Sequence, residues 1–191
     1  IDNKNKIIID SELGSNLFEI EKSVLNSPAK LIYDKSGQSE LSYFWDDLGL
    51  VKGKCRPDWI SDDGNIVVDI KTTTDASPYG FQKSIANWGY HLQLGWYLRG
   101  LQKLGLPAKE FIFIAIEKTP PFSVGVYRAN KDMITYANDE INNLVYDIDE
   151  SLKSDDFPDY TPEIMDLGLP NWMNPKEPEY DPNLHEEVQL Y

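Results

Sequence analysis

Two aspartates and a lysine flank a predicted tight turn, where they could together hold a divalent cation against a phosphate. Asp58 precedes the turn, Asp63-Gly64 forms it, and Asp69 and Lys71 follow it. An Asp-Gly dipeptide tolerates the positive φ angles of a two-residue hairpin turn. If the hairpin is symmetric about this dipeptide, residues pair when their numbers sum to 127, so Asp58 lies opposite Asp69.

The predicted strand after the turn brings both charge types to one face. Side chains alternate along a strand, so Val67, Asp69 and Lys71 share one face and Ile66, Val68 and Ile70 share the other. Carboxylates that face each other repel, and a divalent cation with oxygen ligands would stabilise them. A nearby lysine can orient a water or stabilise charge on a phosphate. The pattern indicates a metal-dependent phosphodiesterase, and spacing alone leaves a polar turn without chemistry as the alternative.

Four blocks in chain order resemble the PD-(D/E)xK nuclease superfamily. They are Glu40-Leu-Ser-Tyr-Phe-Trp45, Pro57-Asp58, Asp69-Ile70-Lys71 and Gln93-Leu-Gly-Trp-Tyr97. The last block is similar to the Gln-x-x-x-Tyr motif of the RecB-type branch. The set as a whole resembles the RecE-like exonucleases of phages and prophages, which include the exonuclease VIII nuclease domain.

The resemblance implies a metal site for Mg²⁺ or Mn²⁺. Asp58 and Asp69 would be its carboxylate ligands, the backbone carbonyl of Ile70 would be a further ligand, and Lys71 would be the catalytic lysine. Two residues of the expected helix, Gln93 and Tyr97, would face this site.

The two helix residues and Glu40 each have an alternative role outside the site. Gln93 and Tyr97 lie four positions apart, on one side of a helix, where ordinary packing is the alternative role. Glu40 matches a commonly acidic position and would bind metal or position water, with a solvated strand residue as the alternative.

Members of the resembling group carry an upstream helix with a Gly-Thr pair and a histidine that completes the metal site. The sequence has no histidine before Glu40, so we expect that helix to precede this sequence in a longer chain. His91 lies two residues before Gln93, about 200° around a helix, so we expect it at the surface or core edge.

The resemblance implies an α/β fold with a mixed central β-sheet flanked by helices, the restriction-endonuclease-like core. It also implies digestion of double-stranded DNA ends in phage-type recombination, a ring-like homo-oligomer, and a single-strand annealing partner protein. The expected location is the cytoplasm of a bacterial host. Alternatives are an endonuclease of the same superfamily, a non-catalytic DNA-binding or assembly module, and an acidic protein that imitates DNA. A nuclease of the CRISPR-adaptation type commonly carries a cysteine cluster, which the single cysteine argues against.

The net charge of −14 is confined to one end of the chain. Residues 1–131 contain 16 basic and 16 acidic residues, whereas residues 132–191 contain 2 and 16. The expected nuclease core is therefore neutral, which weakens the DNA-imitation alternative. Near Asp58, the alternating residues Lys52, Lys54 and Arg56 could contact phosphates or simply be solvated.

The remaining composition restricts the compartment. One cysteine cannot form an intramolecular disulfide and is typical of a reducing cytoplasm. The sequence shows neither a signal peptide nor an apolar run of membrane-spanning length, so we expect no membrane partner.

The predicted elements form one nuclease-like domain, 1–153, and an acidic, proline-rich segment, 154–191. Helices are predicted at 11–26, from Ser77-Pro78 to about Leu104 with a break near Gly89, and at 131–153. Strands are predicted at 38–46, 53–60, 65–73, 111–117 and 123–128. We expect the C-terminal segment to dock through Leu167, Leu169 and Trp172, with a disordered tail as the alternative.

Overall fold

The computed structural model describes residues 9–161, 163–170 and 173, and the chain divides into two units, Ile1–Asp156 and Phe157–Tyr191. The helices of the first unit are α1 (Ser11–Leu25), α2 (Lys30–Tyr33), α3 (Pro78–Trp88), α4 (Tyr90–Lys103) and α5 (Lys131–Ser154). Its strands are β1 (Gly37–Ser39), β2 (Tyr43–Asp46), β3 (Lys52–Cys55), β4 (Trp59–Ser61), β5 (Ile66–Thr73), β6 (Glu110–Glu117) and β7 (Val124–Arg128).

The strands of the described residues form a mixed sheet and a separate two-stranded ribbon. The sheet has the order β1-β4-β5-β6-β7, and β2 pairs with β3. Strands β5 and β6 run parallel, while the other neighbours are antiparallel. The parallel pair requires a crossover, which α3 and α4 provide. The predicted α/β fold with a mixed central sheet is therefore confirmed.

The two faces of the sheet bury different helices, as the alternation along β5 requires. Val67 packs with residues of α3 and α4, including Phe81, Leu94 and Leu98, and the start of α5 joins this core. On the opposite face, Val68 packs against α1 and α2. The sheet is thus covered on both sides, and β5, which carries the predicted catalytic residues, lies at its centre.

The hairpin between β4 and β5 has the predicted register but a longer turn. Trp59 pairs with Val68 and Ile60 with Val67. The connection is 62–65 rather than two residues, and Gly64 adopts φ 66°. Asp63 accepts hydrogen bonds from Ser61 and Asn65, which lower its pKa to about 2. Asp63 is thus a turn-forming residue, the polar role left open for this dipeptide.

Two strands predicted as continuous are interrupted. The predicted strand 38–46 breaks at Glu40, whose φ of 58° is incompatible with a strand, so β1 and β2 belong to different sheets. The predicted strand 53–60 breaks before β4 at Pro57, which lacks the N–H needed to continue a ladder. Because of these two breaks, β2 and β3 form a separate ribbon, and Asp58 lies immediately before β4.

The helices lie close to their predicted positions. Ser77 caps α3 by accepting from Gly80 N, and left-handed Gly89 separates α3 from α4 as predicted. In α5 the buried residues are Ala137, Ile141, Val145 and Asp149. The apolar residues Leu144 and Ile148 are 44% and 47% exposed.

Two further expectations concern the membrane and the C-terminal segment. No helix of the described residues is long and apolar enough to cross a bilayer. Predicted docking of the C-terminal segment involves Trp172, which lies outside the described residues, so the docking and the division at 153 stay predictions.

Candidate active site

The candidate site lies where β5 passes beneath α4. Asp69 and Lys71 point from β5 toward the helix, because alternate strand residues face the same layer. Gln93 lies one turn into α4 and reaches down to both of them. The sheet centre supplies rigidity, since β5 pairs with β4 on one side and β6 on the other.

Gln93 joins the two charged side chains of β5. Its amide nitrogen donates to Asp69 Oδ1 at 2.9 Å, and its amide oxygen accepts from Lys71 Nζ at 2.7 Å. Lys71 Nζ also lies 2.5 Å from Asp69 Oδ2. Side-chain exposure is 4% for Asp69 and 16% for Lys71, so the three residues form a nearly buried polar triangle with the lysine toward solvent.

Asp58 lies at the edge of this triangle, immediately before β4. Its Oδ2 accepts a hydrogen bond from the backbone N–H of Ile70 at 2.5 Å. The N–H and C=O groups of one strand residue point to the same neighbouring strand. The carbonyl of Ile70 therefore opens toward Asp58, the side on which the resemblance places its metal-ligand role.

Burial dominates the electrostatics of Asp69. Loss of solvent raises the pKa of its carboxyl group, while Lys71 and Gln93 oppose that rise and the charge of Asp58 adds to it. Asp69 Oδ2 is buried, and its partner is the ammonium of Lys71. This oxygen therefore has one charged partner and no neutral hydrogen-bond donor.

The donor set fits a hard divalent cation. Asp58 and Asp69 supply carboxylate oxygens, Ile70 supplies a carbonyl, and such oxygens are the ligands that Mg²⁺ and Mn²⁺ prefer. Within the described residues, three or more His, Cys, Asp or Glu side chains do not converge at one point. Mg²⁺ tolerates so few protein ligands because it usually retains waters and binds substrate phosphate.

Tyr97 and Glu40, also predicted at the site, lie on its border. Tyr97 donates from its hydroxyl to the carbonyl of Arg56 at 3.4 Å, one helical turn beyond Gln93. Glu40 forms an ion pair with Arg56, Nε to Oε2, at 2.9 Å, and its side chain is 56% exposed. Its backbone N–H donates to the carbonyl of Asp58 at 3.2 Å, so Glu40 adjoins the site through its main chain.

His91 lies on another side of α4, as its spacing from Gln93 predicts. Its Nδ1 is 3.4 Å from the carbonyl of Ile85, and its Nε2 is 3.6 Å from Glu140 of α5. The ring also packs against Tyr136. These contacts give His91 a role at the α4–α5 junction.

Tyr90 is a site residue that the sequence reasoning missed. The ammonium of Lys71 lies 4.7 Å from the centroid of its ring, a cation–π distance. Tyr90 precedes Gln93 by three residues and Tyr97 by seven, so all three share one face of α4. That spacing is the signal in the sequence that could have identified it.

Comparison with known protein families assigns this chain to a family. The family described as a PDDEXK-like domain of unknown function (DUF3799) matches residues 3–166, and the chain belongs to it. The predicted membership of the PD-(D/E)xK nuclease superfamily is thereby confirmed, and the domain is nuclease-like. No curated protein is significantly similar in sequence.

A solved structure shares the fold. The crystal structure of a "Putative exonuclease" from Eubacterium rectale superposes with a TM-score of 0.61 at 16% sequence identity, covering 82% of this chain and 63% of that one. The chain therefore spans less than two thirds of that protein's length. A second protein, SSO0001, aligns with a TM-score of 0.38 at 18% identity, over 70% of this chain and 60% of its own.

Proposed function

We propose that this chain is a Mg²⁺- or Mn²⁺-dependent deoxyribonuclease that hydrolyses DNA from double-stranded ends. The observation that carries the proposal is the largely buried triangle of Asp69, Lys71 and Gln93 beside Asp58. A hydrophobic sheet centre would ordinarily exclude such a group, because burying charges costs free energy. Its presence there, where burial raises the pKa of the Asp69 carboxyl group, supports a catalytic role.

The residues of the site divide the work of phosphodiester hydrolysis. Asp58 and Asp69, with the Ile70 carbonyl, would hold a divalent cation, which when bound polarises the scissile phosphate and activates a water. Lys71 holds a positive charge beside them at a fixed position, where it stabilises the negative charge that develops on the phosphate.

Gln93 keeps the two β5 side chains in register with each other. Because its amide donates to Asp69 and accepts from Lys71, both charged groups are oriented before the substrate arrives. The Tyr90 ring supports the lysine from the helix side. Together these contacts prepare the site without requiring its reorganisation during the reaction.

The finer parts of the proposal rest on the resemblance to RecE-like exonucleases. They are an end-dependent action, a role in phage-type recombination in a bacterial cytoplasm, a ring-like homo-oligomer and a single-strand annealing partner. The E. rectale structure, named a putative exonuclease, supports the end-dependent action through a shared fold.

The test compares linear with closed circular double-stranded DNA, in Mg²⁺, Mn²⁺ or EDTA. We expect metal-dependent loss of the linear form alone, absent in Asp69→Asn and retained in Asp62→Asn, an exposed acid of the turn. Cutting of the circle would instead support the endonuclease alternative. Inert wild-type protein that still binds DNA would support the non-catalytic module.

A further inference from the structure

The ribbon of β2 and β3 presents an aromatic ring beside a basic side chain, next to the candidate site. Phe44 and Lys54 are directly opposed in the register of the ribbon, and both are exposed, Phe44 to 67%. These two side chains line an open groove of about 380 Å³, together with Ser42, Cys55, Arg56 and Tyr97. The groove reaches the site through Tyr97 and Arg56.

The ribbon is held firmly against α4. Trp45, on its inner face, packs on Trp96 with ring centroids 4.8 Å apart, and Trp96 donates to the Lys54 carbonyl at 3.1 Å. Gly53 and Gly100 allow this packing, since a Cβ at either would lie within 2.5 Å of the Trp45 indole. The outer face is therefore displayed on a fixed support.

Charge pairing along the ribbon isolates Lys54. Lys52 pairs with Asp46 at 2.7 Å, and Arg56 pairs with Glu40 at 2.9 Å. Within the described part of the chain, no carboxylate lies at ion-pair distance from Lys54. Its ammonium is thus the cation of the ribbon that remains for an anionic ligand.

We propose that this groove binds an unpaired nucleotide of the DNA substrate, with the base stacked on Phe44 and a phosphate at Lys54. An exposed aromatic ring beside a cation is the arrangement that binds single strands. A duplex keeps the faces of its bases within the stack, so Phe44 finds a base face only where a nucleotide is unpaired. Burial raises the pKa of the Cys55 thiol to about 12, so the groove offers a binding surface and no thiolate nucleophile.

The inference extends the proposed nuclease by naming where a frayed or displaced strand would lie. Its test is binding of a fluorescein-labelled single-stranded oligonucleotide in EDTA, followed by anisotropy, with the full chain. Because no cleavage is needed, the result is independent of the linear-DNA digestion that tests the nuclease itself. Loss of one with retention of the other tells the two proposals apart.

Phe44→Ala should weaken binding about tenfold, the lower end of what one stacked base contributes. The same substitution should have no effect on an oligonucleotide with abasic sites, which lacks the stacking partner, and Phe44→Trp should bind at least as tightly as wild type. The matched control is Phe18→Ala on α1, where the ring is 63% exposed, and it should bind like wild type.

Lys54→Gln should lower the slope of log affinity against log salt by about 0.7, as expected for one lost phosphate contact on a single strand. Two results for Phe44→Ala would overturn the inference: an equal loss of affinity for intact and abasic strands, or an affinity for the intact strand equal to that of wild type. The second result is also the one expected if the ribbon served a protein partner.

Discussion

Two nearly buried aspartates in this molecule have opposite surroundings. Asp47, just after β2, has a fully buried side chain and accepts hydrogen bonds from Trp45 Nε1 at 2.7 Å and from the guanidinium of Arg99. Lys103 Nζ lies 3.3 Å from the same carboxylate. Asp69 has one hydrogen bond from Gln93 on Oδ1 and only the ion pair with Lys71 on Oδ2.

The pKa of each carboxyl group follows from these partners. At Asp47, burial is outweighed by hydrogen bonds from Arg99 and Trp45, and the pKa is lowered. At Asp69, burial outweighs Lys71, and the pKa is raised. A buried carboxylate with several donors, such as Asp47, stabilises the fold. A buried carboxylate with fewer donors, such as Asp69, costs stability, which is typical of a functional site.

Asp69→Asn sharpens this comparison with the largest expected effect. The amide keeps the shape of the side chain but loses the charge that would hold a cation, so DNA cleavage should fall by about a thousandfold or more. Thermal unfolding should be unchanged or occur at higher temperature at neutral pH. The sign follows because a raised folded-state pKa means that the ionised form disfavours folding above both pKa values.

The measurement is the rate of linear DNA loss in Mg²⁺, paired with a melting curve of the same preparation. Asp62→Asn, an exposed turn acid, is the control and should match wild type in both. A cleavage rate of Asp69→Asn within a few-fold of the wild-type rate would contradict a catalytic role for Asp69, Lys71 and Gln93.

Asp47→Ala is the reciprocal change and should act on stability. Removing the carboxylate leaves Arg99 and Lys103 without their shared partner, at a cost of about 3 kcal/mol in the free energy of unfolding. Urea unfolding measures that loss. Because the pKa of Asp47 is lowered in the folded state, the loss should be present near neutral pH and shrink as pH falls through that pKa.

The neighbouring acid offers a matched control for this substitution. Asp46 forms its ion pair with Lys52 on the surface, with side chains 85% and 81% exposed, so Asp46→Ala should leave the unfolding midpoint unchanged. Equal losses for the two variants would mean that burial of Asp47 does not set its contribution.

Gln93→Ala tests how far the triangle depends on its bridging amide. Without it, Asp69 and Lys71 lose their common orienting partner, and we expect cleavage to fall about tenfold to a hundredfold, as for other residues that orient metal ligands through hydrogen bonds. The loss should appear in kcat rather than KM, because Gln93 positions groups that act in the transition state. The control is Gln82→Ala, which changes an exposed glutamine of α3. An unaltered kcat for Gln93→Ala would mean that Gln93 serves only in helix packing.

The sequence predicted which residues come together better than it predicted the strands around them. Asp58, Asp69 and Lys71 could be placed because hairpin register and side-chain alternation are local rules, whereas Gln93 was expected at the site from the family resemblance. The break at Glu40 was missed, since nothing in the residue type signals a φ of 58°, and it depends on β1 and β2 joining different sheets.

Local sequence rules also could not predict the pairing of β2 with β3 or which residues of α5 are buried. Pro57 offered a signal for the end of β3, but the partner of β3 is set by the packing of Trp45 on α4. In α5, the apolar Leu144 is 44% exposed, whereas Asp149 is buried and accepts a hydrogen bond from Leu50 N. Tertiary hydrogen bonding there outweighed side-chain polarity.

Glu40→Gln should have the smallest effect and places a third acid in the comparison. Its carboxylate is exposed and paired with Arg56, so we expect at most about a fivefold change in cleavage and no change in the Mg²⁺ concentration for half-maximal rate. Glu110→Gln, which breaks a similar exposed pair with Arg128 at 2.8 Å, is the matched control. A hundredfold loss together with a higher Mg²⁺ requirement, seen for Glu40→Gln alone, would instead place Glu40 with Asp69 as a metal ligand, one of the two roles that the family resemblance implies.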